Sequence, residues 1–164
     1  MVVRHRVATR DDLPAIIAIY NATIPSRQVT ADTEPVSVAS RAAWFNDHTE
    51  HVRPLWVLAT DRQIAGWLSF SAFYGRPAYS KTAELSIYVH ENFRQQGIAS
   101  YFLAQAISHA PNLKVDTLLG FIFGHNTPSL ALFEKFGFAR WGKLPRVALL
   151  DGVERDLVIV GRSA

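Results

Sequence analysis

The sequence contains no cysteine among its 164 residues. Disulfide bonds and a thiolate nucleophile are therefore excluded. No run of about 18 apolar residues occurs either, so we expect no membrane-spanning segment. The first residues lack the apolar core of a secretory signal peptide, which favours a cytoplasmic location.

The sequence also lacks a large excess of either positive or negative charge. Lys and Arg number 17 against 14 Asp and Glu, and they form no dense basic run. The formal net charge of +3 permits an acidic ligand but does not indicate a nucleic-acid partner. The six histidines show no metal-ligand spacing, so we expect no metal site.

The apolar periodicity predicts one domain, 1–164, in which strands alternate with helices. Hydrophobic residues make up 49% of the chain, as in a globular protein with a sizeable core. Predicted strands cover 2–8, 55–59, 63–73, 83–89 and 116–123, followed by a hairpin of 147–150 and 154–160. Predicted helices cover 11–23, 36–48, 97–109 and a segment with Thr127 as its N-cap and Gly137 at its end. This order predicts an α/β fold with a mixed, mostly antiparallel sheet and helices on both faces.

The clearest functional pattern lies at 83–106, which is predicted to form a strand, a polar loop and a helix. The loop has the sequence RQQGIA from Arg94 to Ala99. The first backbone N–H groups of a helix have no partners inside the helix, and together with the helix dipole they attract anions. Gly97 removes a Cβ that would hold a phosphate away from the backbone. The segment therefore predicts a site for a phosphorylated ligand.

Two motifs lead to a family resemblance. Arg94, Gly97 and Ala99 fit the pattern Gln/Arg-x-x-Gly-x-Gly/Ala, and the sequence NTPS from Asn126 to Ser129 is followed by Gly-Phe at 137–138. In this strand–loop–helix context they resemble the GNAT superfamily of acetyl-CoA-dependent N-acetyltransferases. The resemblance covers nearly the whole chain and implies acetyl-CoA as the cosubstrate.

Within that superfamily, the chain is most similar to the phosphinothricin acetyltransferase-like branch. The segments that carry this likeness are IYN at 19–21, RAAWF at 41–45, GRPAY at 75–79 and TAELSIYVH at 82–90. The branch implies a homodimeric enzyme that acetylates a small amino acid or an analogue such as phosphinothricin or methionine sulfoximine. Acetylation of a protein N-terminus or another amine, or a non-catalytic acetyl-CoA-binding module, are the alternatives.

Glu84 is the predicted general base. An attacking amine must be neutral, and without a cysteine we expect direct transfer rather than an acyl-enzyme. In the predicted strand Glu84, Ser86 and Tyr88 share one face, where burial would raise the pKa of the carboxyl group. The branch also has a glutamate here. The alternative is a structural ion pair with an Arg or a Lys.

The resemblance also implies a set of cosubstrate ligands. Backbone groups of β-strand residues would hold the pantetheine arm, the loop would cradle the pyrophosphate, and Asn126 would contact the arm from the far side. The implied residues are Ile87, Tyr88, Val89, Arg94, Gln95, Gln96, Gly97, Ile98, Ala99, Ser100, Asn126 and Ser129. Without the resemblance, core packing would explain Ile87 to Val89, a turn would explain Asn126, and a solvated position would explain Arg94.

One position departs from the superfamily. Phe133 stands in the segment where many members have a Tyr and this branch often has a His. Phenylalanine cannot donate a proton to the leaving thiolate. We therefore expect the hydroxyl of Tyr88, or water, to serve instead, unless the reaction needs no dedicated acid.

The predicted acceptor site lies in the segment after the strand 63–73. A guanidinium binds a carboxylate with two parallel hydrogen bonds, which makes Arg76 a candidate for the acceptor carboxylate. The aromatic residues Phe73, Tyr74 and Tyr79 are candidates for the pocket walls, with Glu84 at its base. The alternative for Arg76 is a surface charge on a loop.

Overall fold

One mixed sheet runs through residues 4–164, which the computed structural model describes. The strands are β1 (His5–Val7), β2 (Leu55–Ala59), β3 (Ile64–Ala72), β4 (Thr82–Val89), β5 (Thr117–Phe123), β6 (Ala139–Leu150) and β7 (Val153–Ser163). The helices are α1 (Leu13–Thr23), α2 (Ala42–Asn46), α3 (Ile98–His109) and α4 (Thr127–Lys135). Residues 2 and 3 of the first predicted strand lie outside the described residues.

The strand order is β1-β2-β3-β4-β5-β7-β6. Within residues 4–164, β4 and β5 form the one parallel pair, and the other neighbours are antiparallel. The β4–β5 register covers Thr82–Thr117 to Glu84–Leu119, although both strands continue beyond it. The predicted sheet type is confirmed, and the early end of this pairing leaves room between the two strands.

Helices cover both faces of the sheet, as predicted. One face carries α3 and α4, whose Phe102, Leu103 and Leu130 belong to the larger core cluster. The other face carries α1 and α2, and there the indole Nε1 of Trp67 donates a hydrogen bond to the carbonyl of Ile16 at 3.1 Å. Complete burial of a side chain such as Phe102 contributes about 1.5–3 kcal/mol to folding. None of the helices within residues 4–164 is long and apolar enough to cross a membrane.

Two predicted helix boundaries are wrong. The second helix, predicted over 36–48, is limited to Ala42–Asn46 with a 3₁₀ turn before it, because the Asn21 side chain bonds both the N–H and the C=O of Val36 at 2.9 Å. Asn126 rather than Thr127 is the N-cap of α4, since its Oδ1 accepts a hydrogen bond from the N–H of Ser129 at 3.3 Å.

The final hairpin is longer than predicted. Strand β6 already begins at Ala139, whereas the prediction began at 147. Its first half carries charged residues and Pro145 because it is an edge strand, where solvent contact and a register shift between Leu144 and Ala148 tolerate them. The predicted Asp151-Gly152 turn is confirmed, with φ of +52° and +79°.

Candidate active site

A cleft of about 450 Å³ opens where β4 and β5 separate. Residues 85–89 of β4 form one wall and residues 120–123 of β5 the other. Beyond the Glu84–Leu119 pair, β4 stays paired with β3 on one side but is no longer paired with β5 on the other. The main-chain groups on its other side therefore face the cleft, where an extended ligand can add to the strand edge.

The loop from β4 to α3 lies at one end of this cleft. Gln95 and Gly97 both have positive φ, +63° and +79°, and α3 begins immediately after Gly97. Among residues 4–164, no side chain caps the first N–H groups of α3. A Cβ on Gly97 would meet no atom of the described part of the chain within 4 Å, so these residues leave the space above the loop open. A shallow depression of about 260 Å³ covers this helix start, and the geometry is that of an anion site.

The structure brings most of the predicted cosubstrate ligands together. Those that line the cleft are Ile87, Tyr88, Val89, Arg94, Gln95, Ala99, Asn126 and Ser129. Gly97, Ile98 and Ser100 line the neighbouring depression over the start of α3. Gln96 is exposed and lines neither cavity.

Asn126 is buried at the far side of the cleft and both ends of its amide are engaged. Its Oδ1 caps α4, and its Nδ2 donates to the carbonyl of Gln28 at 3.1 Å. The neighbouring His125 places Nε2 2.8 Å from the carbonyl of Arg27. These two residues fix the segment after α1 against the cleft, so a structural role of Asn126 is established by the contacts.

Phe133 forms an apolar wall of the cleft and is 6% exposed. Its ring packs against Phe138 and lies so close to Gly120 that a Cβ there would come within 2.9 Å of it. Glycine at position 120 therefore provides the space that this ring occupies. Phe133 therefore presents an apolar ring to the cleft and no polar group.

A second pocket of about 180 Å³ lies on the face of β4 that α1 and α2 cover. Its lining residues are Ile17, Tyr20, Arg41, Trp44, Trp67, Ser69, Ser71, Glu84, Ser86 and Tyr88. Ser86 and Tyr88 also line the first cleft, so the two cavities meet at these residues. A group bound in one can therefore reach a group bound in the other.

Glu84 faces this second pocket, on the same side of β4 as Ser86 and Tyr88, as the strand periodicity predicts. Among residues 4–164 no side chain forms an ion pair or a hydrogen bond with its carboxylate. Burial raises the pKa of Glu84 above its usual value. The structural ion pair considered for Glu84 is not found among the described residues.

Tyr88 lies at the junction of the two cavities. Its ring stacks on Trp67 at 4.6 Å between centroids and lies 5.2 Å from the ring of Tyr20. Burial, followed by the nearby Tyr20, raises the pKa of the Tyr88 hydroxyl well above its ordinary value. Tyr88 therefore keeps its proton at neutral pH and can act as a hydrogen-bond donor.

A polar network adjoins the second pocket through two of its lining residues, Tyr20 and Arg41. The Tyr20 hydroxyl donates to the Asp32 carboxylate and contacts the Thr30 hydroxyl. Arg41 donates from Nη2 to Asp32 Oδ2 at 3.0 Å. Burial and the bond to Asp32 raise the pKa of Tyr20, so this phenol also stays neutral.

Most of the residues that line this pocket were not predicted from the sequence. Tyr20, Arg41 and Trp44 occur in the two segments that carried the family likeness, but we assigned them no role. Ser69 and Ser71 carried a second signal. They are polar residues two positions apart in an otherwise apolar strand, and the β3–β4 register places them opposite Ser86 and Glu84.

The predicted acceptor residues other than Glu84 lie elsewhere, in the β3–β4 connection. Phe73 packs against Tyr74 and Tyr79 at 4.3 and 5.2 Å between ring centroids. Tyr74 is 76% exposed and Arg76 is exposed as well. None of these four residues lines the second pocket, so any part they play in acceptor binding stays a prediction.

Comparison with known proteins gives consistent results. The sequence pattern of the acetyltransferase (GNAT) family matches residues 16–138. The chain is 56% identical over 159 residues to YwnH of Bacillus subtilis (strain 168), a candidate phosphinothricin acetyltransferase, which covers 96% of this chain and 97% of the relative. It is 28% identical over 151 residues to an L-methionine sulfoximine/L-methionine sulfone acetyltransferase of Pseudomonas aeruginosa, covering 91% and 87% of the two chains.

A solved structure extends the likeness to the cosubstrate. The crystal structure of a phosphinothricin acetyltransferase of the GNAT superfamily from Sinorhizobium meliloti, in complex with acetyl-CoA, matches with a TM-score of 0.92. The two chains are 27% identical, and the match covers 99% of this chain and 89% of the other.

Proposed function

Because the chain belongs to the acetyltransferase (GNAT) family, we propose that it transfers the acetyl group of acetyl-CoA to the amino group of a small amino acid or amino-acid analogue. The observation that carries this proposal is the Glu84 carboxylate, which faces a small pocket that joins the larger cleft. The names of the two relatives support an acceptor of the phosphinothricin or methionine sulfoximine type.

The larger cleft fits acetyl-CoA in two respects. Its open β4 edge suits an extended pantetheine arm, and the uncapped start of α3 suits the pyrophosphate. Acetyl-CoA supplies an acetyl thioester there. Residues 87–89 would hold the arm through their main chain, and residues 94–100 would hold the phosphates, with Asn126 and Ser129 on the opposite wall.

Glu84 accepts a proton from the ammonium group of the acceptor. This frees the nitrogen lone pair for attack on the thioester carbonyl carbon; a C–N bond forms and the C–S bond breaks. Because burial raises its pKa, Glu84 is a stronger base than an exposed carboxylate. Nitrogen loses its second proton to solvent, and solvent returns a proton to the departing thiolate, so protons and charge balance.

Tyr88 stabilises the departing sulfur through a hydrogen bond from its hydroxyl. A phenol with a pKa above 10 does not protonate a thiolate, whose acid has a pKa of about 8.5, without an energetic cost. We therefore assign Tyr88 the role of donor, and the thiolate takes its proton from solvent. Phe133 then needs no polar replacement.

We also propose a homodimer. Strand β6 is an edge strand and exposes Trp141, Leu144, Val147 and Leu149. An exposed apolar row on an edge strand favours association with a second copy. A solution mass of twice 18.3 kDa would support this, and a monomer at micromolar concentration would refute it. The cytoplasmic location stays a prediction of the sequence.

A thiol-release assay with acetyl-CoA over a panel of amino acids, their analogues, simple amines and N-terminal peptides tests the function. We expect release of CoA with a small amino acid or analogue and little release with peptides. If acetyl-CoA binds while no amine stimulates release, the chain is a binding module and the proposal is wrong. Preference for peptides would instead assign the chain to protein N-terminal acetylation.

A further inference from the structure

Arg41 brings a positive charge into the pocket that contains Glu84. Both side chains line the same cavity of about 180 Å³. They reach it from different elements, since Arg41 directly precedes α2 and Glu84 lies on β4. The pocket therefore presents one anion and one cation to whatever enters it.

Arg41 is held in place and still has donors to spare. Its Nη2 donates to Asp32 at 3.0 Å, and its Cζ lies 5.6 Å from the centre of the Tyr20 ring. A guanidinium has five N–H donors, and within residues 4–164 the bond to Asp32 is the one hydrogen bond that it makes. Its side chain is 31% exposed, so the remaining donors are accessible from the pocket.

The network behind Arg41 fixes its direction. Asp32 is bound by Arg41 and by the Tyr20 hydroxyl, and Thr30 contacts the same hydroxyl. A guanidinium that is stacked and paired loses little rotamer freedom when it binds an anion, so its fork is preorganised. Arg76 has no such support, because it lies exposed outside the pocket.

We propose that Arg41 binds the carboxylate of the acceptor, so that the pocket recognises both charges of a zwitterionic amino acid. This rests on the proposed function, in which Glu84 takes the amino end. The spare N–H donors of Arg41 pair with the two carboxylate oxygens, which is the geometry that guanidinium prefers. Acceptors without a carboxylate next to the amine are then disfavoured.

The test compares two acceptors that differ only in that carboxylate: L-methionine sulfone and the amine that results from its decarboxylation, 3-(methylsulfonyl)propylamine. In Arg41→Gln we expect the preference for the amino acid, measured as the ratio of kcat/KM, to fall roughly 10- to 100-fold. The loss should appear in KM rather than kcat. Arg41→Lys should recover part of the preference, because it keeps the charge and loses the fork.

Two controls separate recognition from support of the fold. Arg62→Gln removes an exposed guanidinium from the β2–β3 turn and should leave the ratio within two-fold. Asp32→Asn keeps Arg41 but removes the partner that orients its guanidinium, and should lower the ratio by less than Arg41→Gln does. Calorimetric binding of L-methionine sulfone to the CoA-saturated protein gives the same comparison without turnover.

The outcomes are distinct. If Arg41→Gln weakens both acceptors equally, or neither, Arg41 is only a support for the loop and the proposal is overturned. A preference lost in Arg76→Gln and kept in Arg41→Gln overturns it as well and assigns the carboxylate to the β3–β4 loop. A wild-type protein that acetylates neither compound and no other amine refutes the proposed function, while the binding comparison still decides the role of Arg41.

Discussion

The two cavities beside β4 are lined by different kinds of chemical groups. The cleft toward β5 offers mainly backbone: the unpaired edge of β4, the start of α3 and two loop residues with positive φ. The pocket toward α1 and α2 offers side chains, including Glu84, Arg41, Tyr20 and Tyr88. Backbone groups are the same in every sequence, whereas side chains change with one substitution. A shared cosubstrate suits the first side and a selected acceptor suits the second.

Glu84→Gln should produce the largest effect and the sharpest split between the two sides. Loss of a general base lowers kcat by about 10²- to 10⁴-fold at neutral pH. Affinity for acetyl-CoA should change less than two-fold, because Glu84 lies on the acceptor side. The acidic limb of the wild-type pH–rate profile should lie above pH 4.5, the ordinary pKa of this group, and vanish in the variant. Unchanged turnover would remove Glu84 from the mechanism.

Gly97→Ala tests the backbone side alone. Alanine at φ of +79° is strained by about 1–2 kcal/mol, so the loop before α3 should change its shape. We expect the Kd of CoA to rise roughly five- to tenfold, while the KM of the acceptor stays the same. S-acetylpantetheine, which lacks the pyrophosphate, should bind both proteins equally. If the acceptor KM rises together with the Kd of CoA, the two cavities do not bind their ligands independently.

Tyr88→Phe addresses the point where the two cavities meet. Removal of one hydrogen bond to the departing sulfur should lower kcat about three- to tenfold, since such a bond contributes about 0.5–1.5 kcal/mol. The ring still stacks on Trp67, so binding on both sides should persist. Solvent deuterium exchange and circular dichroism serve as folding controls. Full turnover in this variant would show that Tyr88 is only a wall.

The smallest expected effect is a pH-dependent change in stability, which arises from Glu84 in the second pocket. Because the pKa of Glu84 is raised in the folded protein, the folded chain holds a proton at pH values where the unfolded chain has lost it. Wild-type stability therefore falls as pH rises from about 4.5 through the folded pKa. Glu84→Gln should have a Tm about 2–5 °C above that of the wild type at pH 8, and no advantage below pH 4. Calorimetric scans across this range measure the difference, and a constant offset would contradict it.

The sequence predicted features that depend on local periodicity. The alternation in 83–89 placed Glu84 and Tyr88 on one face, and the structure confirms that face. The loop from Arg94 to Ala99 was recognised because strand, glycine and helix start follow each other directly along the chain. Such features need no knowledge of distant contacts.

The second pocket could not be predicted in this way. Arg41 and Tyr20 reach it through the segment between α1 and β2, which has no regular period and is held by contacts such as Asn21 with Val36. The length of edge strand β6 was underestimated for a related reason. Solvent contacts both of its faces, so its sequence shows no alternation of apolar and polar residues. The role of Asn126 as a helix cap depended on one side-chain rotamer.

The stacking of Trp67 on Tyr88 also gives the molecule an intrinsic optical reporter. Of the four tryptophans, Trp44 and Trp67 line the second pocket, whereas Trp56 is in the core and Trp141 is on the edge strand. A ligand that enters the pocket changes the polarity around the first two indoles. Emission from a chain in which Trp56 and Trp141 are replaced by phenylalanine would follow acceptor arrival in real time, before any bond is made.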